Sequence, residues 1–330
     1  MPALPKPHTT LQRPDGARLA LYIDGPNDPD LVLIMAHGWQ AAASVWNEHV
    51  RQLPRPRTRI VRYDQRGHGN STAGRALPSI PLLADDLKAV ITATAPGRLP
   101  VLLTGHSMGG MACLALAAQH PHLIGDKVTA ALLAATTSGG LDLWGLQHPP
   151  LKRLIGLSRH AMAALCILAP LPAQHIREIV RPRAYTQPPI DHTAHWFKAL
   201  MRHDVAQQLD ALGRIPVHIL VGERDQTIPP IHALRLAAQI PTARLHVVAG
   251  GGHRLPTQHP EEFLAALERA CADALPAAGR WNRRLSRRDR GTARGKSAQA
   301  VLRTPTSAEH RPDQGGPPGV VGRINDRTGT

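Results

Sequence analysis

The sequence predicts an α/β fold, a mostly parallel β-sheet with helices on both faces. Three observations carry that prediction. Strand-like and helix-like blocks alternate from residue 9 to residue 279, and strands regularly separated by helices pair in parallel through crossover connections. The run Leu31–Ala36 is apolar at every position rather than at every second one, as a strand buried on both faces requires. Apolar residues are 42% of the 330, with 28 glycines besides, the usual share for a chain that forms a core. Aromatic residues are only 3%, so that core must be built from Leu, Val, Ile and Ala.

The elements follow in order. Residues 19–23 come after an Arg13-Pro14-Asp15-Gly16 turn and read as a hairpin strand. Leu31–Ala36 is the buried strand already noted. Ser44 is placed to cap a helix running to about Leu53, with Glu48 near its start. Residues 59–63 are the next strand. Residues 82–94 have helical spacing in Leu83, Leu87, Val90 and Ile91 and stop near Pro96-Gly97. A strand over 100–104 leads into a helix over 108–120, stopped by Pro121. Val128–Ala134 is a strand, and so is 217–221, followed by a helix over 230–240. Residues 245–249 form the last strand and Pro260–Ala274 the last helix.

One interval breaks the rhythm. Residues 139–212 span roughly seventy positions without a clear strand, far beyond an ordinary connection. Helical pieces over 151–168, 172–180 and 193–209 are separated by prolines at 149, 150, 170, 172, 182, 188 and 189. A helical insertion between two core strands is expected, which divides the chain into a core of 9–138 with 213–279, a helical cap of 139–212, and a tail of 280–330.

The net charge of +15 raises the question of a nucleic-acid partner until it is located. Residues 280–330 hold twelve Lys or Arg against four acids, so +8 of the excess sits in the tail. That tail is sparse in apolar residues and has no strand or helix period, so it is expected to be disordered. It has a single aromatic residue, Trp281, and no sustained amphipathic pattern, so binding to nucleic acid or to an acidic membrane is not expected of it. The longest apolar stretch, 161–173, contains Pro170 and Pro172 and falls short of the roughly 18 residues a bilayer crossing needs. The first seven residues lack the charged start and apolar stretch of a secretion signal. The three cysteines, 113, 166 and 271, have no metal spacing and cannot all pair, which suits a reducing compartment. A cytoplasmic protein is expected.

The sharpest motif is Gly105-His106-Ser107-Met108-Gly109-Gly110. It follows an apolar strand and opens an apolar helix, the setting that a Gly-x-Ser-x-Gly elbow requires. A serine on so tight a turn projects its oxygen above the sheet edge. Gly105 and Gly109 flank it because a side chain there would collide with a neighbouring strand or helix. The helix behind Ser107 points its positive end at any oxyanion that forms. A hydroxyl also needs a base. The chain has 19 histidines, so position must decide among them. His253 follows the last strand on Gly250-Gly251-Gly252, at the same sheet edge as Ser107. His106 adjoins the serine, but successive side chains diverge, and its ring is expected to point elsewhere. His192 and His195 lie in the insertion at i, i+3 with no carboxylate or thiol ligand spacing beside them.

These motifs resemble the α/β-hydrolase family over roughly residues 10–275. The resemblance rests on His37-Gly38-Trp39, on Asp64-Gln65-Arg66-Gly67-His68-Gly69-Asn70-Ser71, on Gly105–Gly110, and on Gly222-Glu223-Arg224-Asp225 with Gly252-His253. It implies an eight-stranded sheet and the chain order nucleophile, acid, base, here Ser107, Asp225 and His253. Asp225 matches the family position before Thr227-Ile228-Pro229; Glu223 and Asp142 are its rivals. His37 and His68 resemble loop-ordering residues. The oxyanion hole implied by the resemblance uses the backbone N–H groups of Trp39 and Met108, and Trp39 can also line an acyl pocket. The implied chemistry is acyl transfer to water through an acyl-enzyme on Ser107, without metal or organic cofactor. The expected substrate is a small carboxylic ester, thioester or lactone with an apolar portion. Epoxide hydrolases and dehalogenases of this fold place an aspartate where Ser107 stands, which sets them aside. Cofactor-free perhydrolases (haloperoxidases) and carbon–carbon bond hydrolases share the triad and stay open. A catalytically silent binding protein of the fold would be expected to have a broken triad.

Overall fold

The structure is a computed structural model that describes residues 6–53, 57–141 and 190–275. Eight strands form one sheet: β1 (Thr9–Gln12), β2 (Arg18–Asp24), β3 (Leu31–Ala36), β4 (Thr58–Tyr63), β5 (Val101–His106), β6 (Val128–Ala134), β7 (Val217–Gly222) and β8 (Ala243–Val248), in the order β1-β2-β4-β3-β5-β6-β7-β8. The pairs β1–β2 and β2–β4 are antiparallel, and all other pairs are parallel. The described helices are α1 (Asn47–Gln52), preceded by a 3-10 turn over Ala43–Trp46, then α2 (Ile80–Thr94), α3 (Met108–Gln119), α4 (Ile190–Met201), α5 (Pro230–Gln239), the single turn α6 (Leu255–Gln258), and α7 (Pro260–Ala274).

The continuous apolar strands are explained by two cores, one on each face of the sheet. Val32 and Ile34 of β3, Leu103 of β5 and Leu133 of β6 join Leu87 of α2 and Leu114 of α3 on one face. Their neighbours Leu33, Met35, Leu102 and Leu132 join Trp46, Phe263 and Leu267 on the other. Period-two alternation thus sends successive apolar residues of these central strands into two layers, one on each face.

Several boundaries differ from those read in the sequence, each for a local reason. The first strand, Thr9–Gln12, carries only one large apolar residue, so it is marked by its pairing with β2 rather than by its pattern. Ser44 caps nothing with its side chain, and the segment begins as a 3-10 turn before α1. Helix α2 starts at Ile80 because Ser79 accepts the Leu82 N–H at 3.2 Å and Pro81 fits the first turn. Helix α4 ends at Met201 rather than continuing to 209. Beyond it, Asp204 accepts the Ala206 N–H at 3.1 Å, and the Val205 N–H is taken by the Ser138 carbonyl at 2.7 Å. That bond brings the two roots of the 139–212 interval together. The helices expected over 151–168 and 172–180, Asp142, and the 280–330 extension lie outside the described residues. Among the described residues, no helix is long and apolar enough to cross a membrane.

Candidate active site

In this sheet β4 lies on one side of β3 and β5 on the other, so the chain reverses its direction of travel between β3 and β5. A crevice opens at the carboxyl ends of strands at such a switch point, and open α/β sheets place their sites there. Every predicted site residue follows one of these strand ends. His37, Gly38 and Trp39 follow β3, Ser107 follows β5, Asp225 follows β7, and His253 follows β8.

Ser107 has φ 54° and ψ −119°, a conformation that costs a non-glycine residue about 1–3 kcal/mol. Three hydrogen bonds hold it there. Its N–H donates to the Ala134 carbonyl at 2.9 Å, and its own carbonyl accepts from the Met111 N–H at 3.1 Å and from the Thr136 hydroxyl at 2.8 Å. The tightness of the turn shows at Gly105, where a Cβ would sit 2.5 Å from the Gly109 carbonyl oxygen.

The structure brings Ser107, His253 and Asp225 into one chain of hydrogen bonds. His253 Nε2 lies 3.0 Å from Ser107 Oγ, and His253 Nδ1 lies 2.8 Å from Asp225 Oδ2. With Nδ1–H donating to the carboxylate, Nε2 is the acceptor for the serine proton. The other Asp225 oxygen accepts the N–H groups of Thr227 and Ile228, each at 2.9 Å, so the carboxylate cannot rotate away. Its side chain is fully buried, while the imidazole is slightly exposed. Glu223 turns elsewhere and accepts the Gly250 N–H at 2.8 Å.

The loop after β3 is tied to the loop after β4 by His37. Its Nδ1–H donates to the Gly38 carbonyl at 2.7 Å, and its Nε2 accepts the Gln65 N–H at 2.9 Å. That pairing fixes a neutral tautomer, and burial pushes the His37 pKa down to about 4. The His68 ring meets His37 edge-on at 5.4 Å. His37 thus links the two loops, and His68 packs against it. Trp39 is half-buried and packs its ring 6.2 Å from Phe197 of α4, while Trp196 of α4 lies 5.6 Å from His68. Helix α4 thus covers the loops beside Ser107. Met108 opens α3 immediately after the serine, where the positive end of a 12-residue helix faces the crevice.

Two residues near the site carry contacts that the sequence reading did not assign. Thr136 holds the Ser107 carbonyl, as described above. Its signal in the sequence is the run Thr136-Thr137-Ser138, three hydroxyls that begin two residues after the end of the largely buried β6. The other is His106. Its ring does diverge from the Ser107 hydroxyl, but it does not leave the site: Nε2 donates to the carbonyl of His253 at 2.8 Å, with the two imidazoles 5.1 Å apart. Among the described residues, no group of three His, Cys, Asp or Glu side chains is placed to hold a metal ion.

This fold, with a strained serine, a histidine and a buried carboxylate linked in series at one sheet edge, defines the hydrolase class of α/β enzymes. Residues 32–266 match the family model described as the alpha/beta hydrolase family, and the chain belongs to that family. RutD of Caulobacter segnis, whose name assigns it carbamate hydrolysis provisionally, is 29% identical over 70% of this chain and 88% of its own. A pimeloyl-[acyl-carrier protein] methyl ester esterase of Aeromonas hydrophila is 26% identical over 73% of this chain and 94% of its own. Among solved structures, a thermophilic esterase from Thermogutta terrifontis superposes with a TM-score of 0.60 at 21% identity, covering 81% of this chain and 98% of that one. The protein is an enzyme of the hydrolase type.

Proposed function

We propose that this hydrolase cleaves a carboxylic ester, thioester or lactone with an apolar portion through an acyl-enzyme on Ser107. The observation that carries the reading is the continuous series Ser107 Oγ, His253 Nε2, His253 Nδ1 and Asp225 Oδ2, with links of 3.0 and 2.8 Å. In it, His253 takes the hydroxyl proton as Oγ attacks the substrate carbonyl. Asp225 holds the ring in the tautomer that leaves Nε2 free, and stabilises the imidazolium once it forms. The tetrahedral oxyanion is received by the backbone N–H groups of Trp39 and Met108 at the start of α3. The imidazolium then protonates the leaving alcohol or thiol. A water molecule, deprotonated by the same His253, cleaves the acyl-serine and releases the acid.

The ester preference is supported by the esterase names among the relatives and by the apolar character of Trp39, Phe197 and Leu200 near the crevice. Residues 139–212 serve in this reading as a cap over the serine, with α4 as its described part. The similarity to RutD favours a second reading, a carbamate, whose carbonyl would be attacked by the same serine.

A fluorophosphonate probe followed by peptide mapping, together with p-nitrophenyl esters of graded chain length and one aryl carbamate, tests the proposal. Labelling is expected on Ser107 alone. S107A is expected to lose label and to lower ester turnover by roughly 10⁴-fold or more. Near-normal turnover in S107A would reject the nucleophile. Faster cleavage of the carbamate than of any ester would move the substrate class to the second reading.

A further inference from the structure

We propose that His106 is a positioning residue for His253: its Nε2–H clamps the backbone carbonyl of the base, so that one side chain fixes the base loop against the nucleophile turn and the loop after β3. This rests on the triad reading above and adds to it a residue that touches neither substrate nor reacting atoms.

The geometry is specific. His106 is the last residue of β5 and immediately precedes Ser107. Its backbone is therefore held by sheet pairing, with Ala134 of β6 as its register partner. From this rigid base the ring reaches across to the loop after β8 and donates to the His253 carbonyl at 2.8 Å. On its other side the ring lies against Gly38. A Cβ added there would meet His106 Nδ1 at 3.0 Å and the Ser107 Cβ at 3.3 Å. The imidazole therefore fills the space between the loop that carries Trp39, the serine turn and the base loop. Three of the separately encoded segments of the site meet at this one ring.

The direction of the hydrogen bond follows from its acceptor. A carbonyl only accepts, so Nε2 must carry the proton. That leaves Nδ1 unprotonated, on the side of the ring that faces Gly38. Burial drives the ring's pKa down to about 3, and the neighbouring His253 adds to the effect. A second imidazole 5.1 Å from the base would otherwise compete for the serine proton. Held in one neutral tautomer, His106 leaves that proton to His253.

The glycine run before His253 is tied at Gly250 to Glu223 and at Gly251 to Val248 and Arg224, and the His106 bond carries that tethering on to the His253 carbonyl itself. Asp225 constrains the imidazole at Nδ1 but does not constrain the backbone behind it. Without the His106 bond the His253 ring can pivot about its link to Asp225 and lengthen the 3.0 Å contact with Ser107.

Three variants, H106F, H106Q and H106N, test the clamp. Phenylalanine keeps the ring shape and removes the donor. Glutamine places its Nε2 where the imidazole Nε2 stood. Asparagine places its amide at the Nδ1 position and cannot reach the carbonyl. Leaving this part-buried carbonyl unpaired is expected to lower kcat by about 5- to 100-fold when the loss is expressed in the transition state. That fall is expected for H106F and H106N on a p-nitrophenyl ester, with KM changed by less than about threefold because the group does not touch substrate. H106Q is expected to recover most of the loss. The rate of fluorophosphonate labelling should fall by the same factor as kcat, since His253 serves both. Equal damage in H106F and H106Q would overturn the clamp in favour of ring shape alone, and so would wild-type kcat in H106F. If H106F does not fold, the contrast between H106Q and H106N decides by the same criterion. S107A is run alongside: turnover retained there overturns the triad reading and the clamp with it, whereas an inactive S107A beside an unaltered H106F overturns the clamp alone.

Discussion

The backbone of Ser107, at φ 54° and ψ −119°, is held by neighbours on β6, in the loop beyond it and in the first turn of α3. The Ala134 carbonyl, the Met111 N–H and the Thr136 hydroxyl form a fixed socket, and strain of this kind persists only where surrounding structure over-determines it. The same logic applies at Asp225. One carboxylate oxygen is occupied by Thr227 and Ile228 N–H groups, which leaves the other aimed at His253 Nδ1. Replacing it by asparagine conserves shape but offers an amide donor where an acceptor is required. The imidazole then turns to the tautomer with its proton on Nε2, facing the serine that it deprotonates in the proposed mechanism. D225N is accordingly expected to lower kcat by about 10³- to 10⁴-fold with little change in KM, as read by steady-state ester hydrolysis. A larger loss in E223Q than in D225N would move the acid to the neighbouring carboxylate, which in this structure is engaged with Gly250.

At the scale of elements, the loop after β4 shows how a polar segment is kept rigid beside the site. Arg66 is buried and forms two bonds to Asp86 of α2, at 2.6 and 2.8 Å, and one to Asp15 at 2.7 Å. Arg13 adds a further contact to Asp86 at 2.8 Å. The Asp15 carboxyl is partly shielded, which acts to raise its pKa, but hydrogen bonds from Arg66, Ala76 and Ala17 outweigh that and bring it to about 2. Asp64 is buried nearby and accepts from the Tyr22 hydroxyl and from the Ala43 and Asn70 N–H groups. Removing one partner of a buried pair strands the other without solvent. R66M leaves Asp86 paired with Arg13 alone and is thus expected to lose about 3 kcal/mol of stability in urea unfolding, the low end for a buried pair. A cost below about 1 kcal/mol, as for a surface pair, would show that this network is solvated. These elements also show what the sequence can and cannot disclose. Ser107 and His253 were readable because each follows an apolar strand, so the sheet edge that gathers them could be inferred before any coordinates. Asp225 needed the family's motif to be preferred over Glu223. Thr136 and the His106 clamp were not readable. Their partners lie 29 and 147 positions away in sequence, and no local period marks a contact made through space. Strand Thr9–Gln12 escaped for a related reason, since an edge strand with one large apolar residue is defined by its neighbour and not by its own pattern.

For the molecule as a whole, several histidines are buried deeply enough to be held neutral. Burial holds His37, His49 and His203 down at about 4 and His106 at about 3, against the ordinary value of 6.5. In the unfolded chain the same rings titrate near 6.5. The unfolded state therefore binds more protons than the folded state once the pH falls below about 6.5, and stability that is fully present above that value declines toward pH 4. Each such ring removes about 1 kcal/mol between pH 7 and pH 5.5, so the four together represent a large part of the roughly 5–15 kcal/mol that holds a domain folded. Urea unfolding at the two pH values is expected to show a drop of several kcal/mol, and a flat response would mean that these rings are protonated in the folded state. His49 isolates the effect from catalysis. It lies between Trp46 and Phe263, with ring centroids 6.1 and 4.8 Å away, on the face opposite α3. Neither of its ring nitrogens has a hydrogen-bond partner among the described residues. Phenylalanine in that aromatic slot removes two unsatisfied polar atoms and one latent proton site. H49F should therefore unfold at higher urea than the wild type at pH 5.5 and lose part of the pH dependence, with ester turnover unchanged because the ring lies across the sheet from Ser107. An H49F variant that retained the full acid sensitivity would place the titrating groups elsewhere in the molecule.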